Sequence, residues 1–270
     1  MPELPEVETS RRGIAPHIVG ARVSNVIVRN RSLRWPIAKI VDKNLLGATI
    51  TGVDRRAKYL LIETADGAAI LHLGMSGSVF IIDRGTAAGV HDHVDIEFDT
   101  DKVLRFRDPR RFGSLHWSKT PLQHKLLKSL GPEPLSDTFD ADYLWARSRR
   151  RRVSIKQFIM NAQIVVGVGN IYASEALYYA GISPRRAAGR VSLQRYEALV
   201  TSIKNVLANA IKAGGTTLRD FYGGDGEAGY FQQQLEVYGR DGEPCRFCNT
   251  DIASIVQGQR TTFYCKQCQT

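Results

Sequence analysis

The sequence predicts an α+β chain whose first half is built of strands and whose second half is helical. Three observations predict it. Short β-rich runs occupy residues 21–117 with no long helix between them, the apolar period turns helical after about residue 140, and all four cysteines fall in the last 26 residues. The strand-rich half suggests an antiparallel sandwich or barrel.

Taken in order, the first helix is expected from Pro5. A missing N–H costs nothing in a first turn, and Glu6 and Glu8 complement the helix dipole. Val7, Ile14 and Ile18 can share its buried face. The strands are read at Val23, Val26 and Val28, then Leu60 to Ile62, Ile70 to Leu73, Val79 to Ile82, and Val94, Ile96 and Phe98, punctuated by turns such as Asp66-Gly67 and Asp99-Thr100-Asp101. A helix around Leu122–Leu130 would end at Gly131-Pro132 as a glycine cap. The boundaries expected are therefore a first domain over 1–131, a linker over 132–140, a helical domain over 141–234 and a cysteine hairpin over 235–270. Within the helical part, Ser154–Asn161 is short, a second helix runs from Asn170 to Ala180 before Gly181, and Ser192 caps a long amphipathic helix carrying Leu193, Tyr196, Val200, Ile203, Leu207 and Ile211 up to Gly214-Gly215. The glycine-rich stretch from Gly223 to Gly229 reads as a mobile loop.

The cysteines stand as Cys245-Arg246-Phe247-Cys248 and Cys265-Lys266-Gln267-Cys268, sixteen residues apart. Two CxxC turns at this spacing bring four sulfurs onto one ion, the pattern of a structural zinc site with no open position for substrate. Two disulfides, or four unrelated thiols, are the alternatives.

Composition narrows the function. No apolar run approaches the length that spans a bilayer, and the acidic start Met1-Pro2-Glu3-Leu4-Pro5-Glu6 lacks the apolar core of a secretory signal, which points to a reducing cytosol. Thirty-seven Lys and Arg against 27 Asp and Glu leave a net charge of +10. Arginine is clustered at Arg147 and Arg149 to Arg152, and again at Arg105, Arg107, Arg110 and Arg111. Such clusters favour a phosphate polymer, because neutralised phosphates release condensed counterions. A merely soluble basic surface or an anionic membrane are the alternatives, and no lipidation motif or basic amphipathic helix supports the membrane.

Four short segments carry possible chemistry. Val165-Val166-Gly167-Val168-Gly169-Asn170-Ile171-Tyr172 starts like a dinucleotide fingerprint, but Tyr172 stands where the third glycine belongs and the flanking order is helix, turn, helix. A tight turn that aims a helix N-terminus at a phosphate fits as well as a purely structural turn. His91-Asp92-His93 offers two histidines but no third ligand, so a surface pair is favoured over a metal site. His72, between two leucines, is either a satisfied histidine or one that reaches a phosphate. Pro2, exposed by removal of Met1, would present an α-amine that titrates near ~8, low enough to attack an aldehyde-like carbon. Beside it Glu3 could shuttle a proton, though Pro2-Glu3 by itself is most often an ordinary chain end.

Read together, these pieces resemble bacterial formamidopyrimidine-DNA glycosylase. The resemblance rests on Pro2-Glu3-Leu4-Pro5-Glu6-Val7-Glu8-Thr9, Arg56-Ala57-Lys58-Tyr59, His72-Leu73-Gly74-Met75-Ser76-Gly77, Asp108-Pro109-Arg110-Arg111-Phe112-Gly113, Gly167-Val168-Gly169-Asn170-Ile171-Tyr172 and the cysteine hairpin, in the family's order along the whole chain. It implies an N-terminal antiparallel β-sandwich with an N-terminal helix, a helical domain with a helix–two-turn–helix, and a β-hairpin zinc finger. The activity implied is excision of oxidised purines from duplex DNA, followed by strand cleavage at the abasic site. By the same resemblance Pro2 is the nucleophile, Glu3 the acid/base on the sugar, and Lys58 a catalytic lysine near the flanking phosphates, with Glu6 helping to shape the pocket. Met75, Arg110 and Phe112 fill the void left by an everted base. His72, His91, Lys156, Asn170 and Arg260 contact DNA, Arg260 also serving the strand being cut. Cys245, Cys248, Cys265 and Cys268 bind one structural Zn2+. The loop between Thr217 and Tyr230 covers the everted base, though Gly223-Gly224 and Ala228 depart from the family's pattern there. The partner implied is damaged double-stranded DNA, bound by a monomer in the bacterial cytoplasm at the nucleoid. Two other readings stay open: the related endonuclease VIII, acting on oxidised pyrimidines, and a non-catalytic zinc-ribbon DNA binder.

Overall fold

Leu4 opens the first helix, α1 (Leu4–Ile18), in the computed structural model, which describes residues 2–215 and 235–270. Glu3 is its N-cap in a reciprocal capping box, and the Glu3 amide donates to Glu6 Oε2 at 2.8 Å. Val7, Ile14 and Ile18 form the buried face. On the flank, Glu8 accepts hydrogen bonds from Arg11, Arg12 and Arg55 at 2.8–3.1 Å. Burial by itself would raise its carboxyl pKa, but the three guanidinium donors outweigh burial and hold it down at about 2. A carboxylate depressed in the folded state adds stability that is complete above its ordinary value and is lost as pH falls through about 2. Glu8→Gln is therefore expected to cost about 2 kcal/mol at pH 7 after solvent screening. In denaturant titrations the gap to the parent protein should close as the pH is lowered from 4.5 towards 2; a gap independent of pH would refute the assignment.

The strands follow as β1 (Val23–Val28), β2 (Gly52–Arg56), β3 (Tyr59–Thr64), β4 (Gly67–His72), β5 (Ser78–Asp83), β6 (Asp92–Phe98), β7 (Lys102–Arg107) and β8 (Ser114–Ser118), with the short helix α2 (Lys39–Leu45) after β1. They form two four-stranded antiparallel sheets, ordered β1-β6-β7-β5 and β2-β3-β4-β8. One core joins them, with Val79, Ile96, Phe98 and Leu104 from the first sheet against Leu60, Ile62, Leu71 and Leu115 from the second, and α1 seated on the same cluster. The half is a sandwich. Sequence pattern left β2, β7, β8 and α2 unmarked: Asp54, Arg55, Arg56, Arg105 and Arg107 break up the apolar runs of β2 and β7, and α2 buries only Val41 and Leu45.

The helix expected over Leu122–Leu130 is absent. Only a 3-10 turn, Pro121–Gln123, and further turns occur there. Leu127 is buried while Leu122 is 58% exposed, so no continuous apolar stripe exists to hold a helix. Gly131 is a close-packing glycine rather than a cap, since a Cβ there would lie 2.7 Å from the Ile164 carbonyl oxygen.

Among the described residues the chain divides into a first unit of 2–128 and 213–215 and a second of 129–212 and 235–270. The expected linker, 132–140, is packed into the second unit. Pro132 O accepts from Val166 N, Ser136 O accepts from Lys204 Nζ, and Phe139 is fully buried. Its helices are α3 (Ala141–Ser148), α4 (Ile155–Ile159), α5 (Asn170–Tyr179) and α6 (Leu193–Lys212). Asp140 and Ser154 cap α3 and α4, and Gly181, at φ +63°, follows α5 in the left-handed region. The buried stripe of α6 runs through Tyr196, Leu199, Val200, Ile203, Leu207 and Ala210, with Leu193 and Ile211 at its margins. The hairpin pairs β9 (Ile252–Gln257) with β10 (Arg260–Cys265) around Gly258 and Gln259, both at positive φ, as a two-residue type I′ turn requires. No helix among the described residues is long and apolar enough to cross a membrane.

Candidate functional site

At the start of α1, Pro2 and Glu3 are buried, and Glu6 holds the Glu3 amide through the capping box. Gly215, at φ +87°, lies against Glu6; a Cβ would come within 3.3 Å of Glu6 Cγ. Glycine is required at that approach. Met1 and the loop expected between Thr217 and Tyr230 lie outside the described residues.

Lys58 sits in the two-residue turn between β2 and β3, after Ala57, which holds φ +56° without being glycine. Such a conformation costs of order 1–2 kcal/mol and persists where surrounding structure fixes it. On the neighbouring strand His72 packs against Tyr59, ring centroids 4.7 Å apart and planes tilted by 50°. His72 Nδ1 accepts the Gly74 amide at 3.0 Å, which assigns its proton to Nε2. Burial, then the charges of Lys58 and Arg34, push its pKa down to about 4. His72 is therefore neutral at physiological pH, with Nε2–H as a hydrogen-bond donor rather than a cationic charge to offer.

Two loops of the first unit are clasped together beside it. Gly74, at φ +71°, lies so close to the Phe112–Gly113 backbone that a Cβ would reach within 2.5 Å of it. The clasp is completed by Asp108, fully buried, whose Oδ1 accepts the Ser76 hydroxyl at 2.8 Å and whose Oδ2 accepts the Gly113 amide at 2.7 Å. Ser76 Oγ in turn accepts the Arg110 amide, and Arg111 stands at φ +57°. The outcome is that Met75 and Phe112, 40% and 41% exposed, emerge from adjoining loops with the Arg110 guanidinium 5.0 Å above the Phe112 ring. Sequence reading gave Asp108 and Ser76 no role. An acid inside a run of arginines was the available signal.

The two histidines of His91-Asp92-His93 do not form a surface pair. A bulge in the β6–β7 register separates them: His91 is exposed, whereas His93 is buried with Nε2 2.8 Å from the Asp108 carbonyl oxygen. The basic clusters also divide. Arg105 is buried between Asp92 and Asp95, and Arg149 stacks on Trp145 while donating to the carbonyls of Gly189 and Val191. These two arginines hold the fold. Arg110, Arg111, Arg147 and Arg150 to Arg152 are exposed.

In the second unit Lys156, 1% exposed, donates from Nζ to Asn170 Oδ1 at 2.7 Å and to Thr262 Oγ1 at 2.8 Å. Asn170 Nδ2 donates to the Thr261 carbonyl at 3.0 Å and approaches the Tyr238 hydroxyl. Lys156 thus ties α4, α5 and β10 together. Arg260, at the exposed start of β10, is set by that tie through its neighbours Thr261 and Thr262. Sequence reading missed Tyr238 and also Glu175, a buried carboxylate of α5 that accepts the amides of Glu236, Val237 and Tyr238 at 2.8–3.0 Å. Burial raises the Glu175 pKa against those three donors.

The four cysteines are free thiols whose sulfurs all lie within 4.8 Å of one another. Two of the separations, 3.4 Å for Cys248–Cys265 and 3.9 Å for Cys245–Cys268, bracket the ~3.8 Å edge of a tetrahedron with Zn–S bonds near 2.3 Å. The Tyr178 hydroxyl lies 3.3 Å from Cys245 Sγ, and the Cys268 amide donates to Cys265 Sγ. The donor set fits one structural zinc.

Comparison with known proteins covers the same ground. Residues 1–115 match the formamidopyrimidine-DNA glycosylase N-terminal domain, 130–222 the H2TH domain of the same enzymes, and 242–270 the zinc finger found in them and in isoleucyl-tRNA synthetase. Formamidopyrimidine-DNA glycosylases of Pseudomonas entomophila and Pseudomonas putida are 58% identical over 269 residues, covering all of both chains. Among solved structures, the MutM (Fpg) protein of Thermus thermophilus superposes with a TM-score of 0.89 at 34% identity, covering 99% of this chain and 98% of that one. The Lactococcus lactis Fpg in complex with DNA containing an abasic site gives 0.91 at 33% identity, with complete coverage of both.

Proposed function

The chain belongs to the formamidopyrimidine-DNA glycosylase family, and from that premise we propose that it excises 8-oxoguanine and formamidopyrimidines from duplex DNA and cleaves the strand by β,δ-elimination, as a step of base excision repair. Pro2, freed of Met1, attacks C1′ of the damaged nucleotide; the bond from C1′ to the base breaks, and the base leaves with the bonding electrons. The Pro2 nitrogen gives up its N–H proton to solvent, Glu3 protonates the ring oxygen as the C1′–O4′ bond breaks, and an iminium is left between Pro2 and C1′. That iminium acidifies the neighbouring hydrogens, so the 3′ and then the 5′ phosphate depart in successive eliminations. Lys58, charged beside the neutral His72, serves the flanking phosphates, and His91, Lys156, Asn170 and Arg260 hold the strand. Cys245, Cys248, Cys265 and Cys268 hold one structural zinc that stiffens the hairpin.

The observation that carries the proposal is the clasped pair of loops presenting Met75, Arg110 and Phe112 from a rigid base. Eviction of a paired base costs a few kcal/mol of stacking and pairing, and an aromatic wedge, an adaptable thioether and a fork of donors suit the vacated site. The test is borohydride reduction in the presence of a duplex carrying 8-oxoguanine opposite cytosine, with an oxidised pyrimidine duplex alongside. Efficient trapping with the purine lesion is expected. Preference for the pyrimidine would indicate the endonuclease VIII activity instead, and no trapping with either would indicate a binder.

Phe112→Ala is expected to slow excision of paired 8-oxoguanine by at least about tenfold, the kinetic equivalent of one or two kcal/mol of unstacking. Cleavage at an abasic site, where no base has to be evicted, should change far less. Equal losses on both substrates would remove Phe112 from the wedge role. We place the enzyme in the bacterial cytoplasm, working as a monomer at the nucleoid.

A further inference from the structure

Away from the residues assigned above, the second unit carries a basic surface made from two segments distant in sequence. The chain over 150–153 runs antiparallel to 186–189: Gly189 N donates to Arg151 O, Ala188 N to Val153 O, and Ile155 N to Arg186 O, with Ser154 bridged to Ala187. Gly189 makes this approach feasible, since a Cβ there would lie 2.9 Å from the Arg151 carbonyl oxygen and 3.3 Å from the Arg150 amide. The pairing sets Arg150, Arg151 and Arg152 beside Arg185, Arg186 and Arg190. Arg185, Arg186 and Arg190 line an open trough of about 640 Å³. Among the described residues none of these six arginines has an ion pair with an acid. By contrast, Arg29, Arg55, Arg105 and Arg107 of the first unit all have carboxylate partners. Charges of one sign held side by side repel, and a polyanion supplies the relief.

The position of the ledge identifies which polyanion. Gln257 Nε2 donates to Pro184 O, and the hairpin turn at Gly258 lies against the Gln157 side chain, so the ledge borders the hairpin that carries Arg260. We infer that the Arg150–Arg152 and Arg185–Arg190 ledge is an accessory phosphate-binding surface for duplex DNA beyond the lesion. It adds sequence-independent affinity without touching the reacting nucleotide. The inference rests on the proposed function for the identity of the polymer, but it concerns a different surface.

The test compares the parent protein with Arg185→Gln/Arg186→Gln/Arg190→Gln and with the same three positions changed to lysine. Two quantities are measured: the salt dependence of binding to a long lesion-free duplex, and borohydride trapping on a duplex just long enough to hold the lesion site. Each phosphate contact contributes about 0.9 to the slope of log affinity against log salt. The glutamine variant should lose roughly two to three from that slope and keep its trapping, whereas the lysine variant should keep both. An unchanged slope in a glutamine variant that still traps would overturn the inference and leave an acidic protein surface as the occupant. Loss of trapping in the glutamine variant would equally overturn it, because the ledge would then be needed for lesion handling or folding. Failure of the parent protein to trap would instead strike at the proposed function.

Discussion

A chain that retains Met1, or carries any residue ahead of Pro2, should give no borohydride-trapped complex with an 8-oxoguanine duplex, with excision and strand cleavage falling by about 10⁴-fold or more, as for loss of a nucleophile elsewhere. The reason is electronic. Acylation turns the Pro2 nitrogen into an amide whose lone pair is delocalised and can no longer attack carbon. Pro2 and Glu3 are buried where α1 begins, and Glu3 is fixed there by Glu6. Binding to lesion DNA should persist, because the proposed grip residues Lys156, Asn170 and Arg260 are elsewhere in the chain. Trapping at the parent level with Met1 verified in place by mass spectrometry would transfer the nucleophile's role to another amine, with Lys58 the first to test.

Removing zinc should have the opposite profile. With Cys265→Ser, or after exhaustive chelation, DNA affinity is expected to fall more than 100-fold while the Pro2 amine stays chemically competent. The hairpin has very little core of its own, built around Val237, Cys245, Ile252 and Cys265, two of which are zinc ligands. Structural zinc contributes about 10–16 kcal/mol to the folding of comparable small domains, far more than such a core can. Unfolding of the hairpin withdraws Thr262 from Lys156 and the Thr261 carbonyl from Asn170. That takes one acceptor from the buried Lys156 ammonium, at a cost of about 1–3 kcal/mol, so the damage spreads from the hairpin into α4 and α5. Fluorescence anisotropy with labelled duplex, read beside zinc release, checks this. Unchanged affinity in the metal-free protein would show that Arg260 and the Lys156 tie contribute nothing to the grip.

Much of this is legible in the sequence alone. The spacing of the four cysteines led to a tetrahedral sulfur cluster because a CxxC turn has few ways to place two sulfurs, and the long helix from Leu193 was evident because its stripe persists over 20 residues. The helix expected at Leu122–Leu130 failed for the converse reason. Its leucines have helical spacing, but only Leu127 finds a buried place, and a segment that short is not helical without packing. The charge-rich strands β2 and β7 escape the pattern because their arginines answer to partners on other elements, as Arg55 does to Glu8 of α1 and Arg105 to Asp95 of β6.

The sequence by itself determined the fold class, the zinc-binding cysteine cluster and the family, because each depends on local spacing or on motifs read in order. Tertiary structure decided what each charge is for. It buried Arg105 and tied the half-buried Arg149 to backbone carbonyls, separated His91 from the buried His93, held His72 neutral beside Lys58, and made Lys156 a tie between two helices and the zinc hairpin. Residue type fixes what a side chain can donate, accept or ionise. Burial and partners drawn from distant parts of the chain fix which of these it does, and no local pattern encodes them.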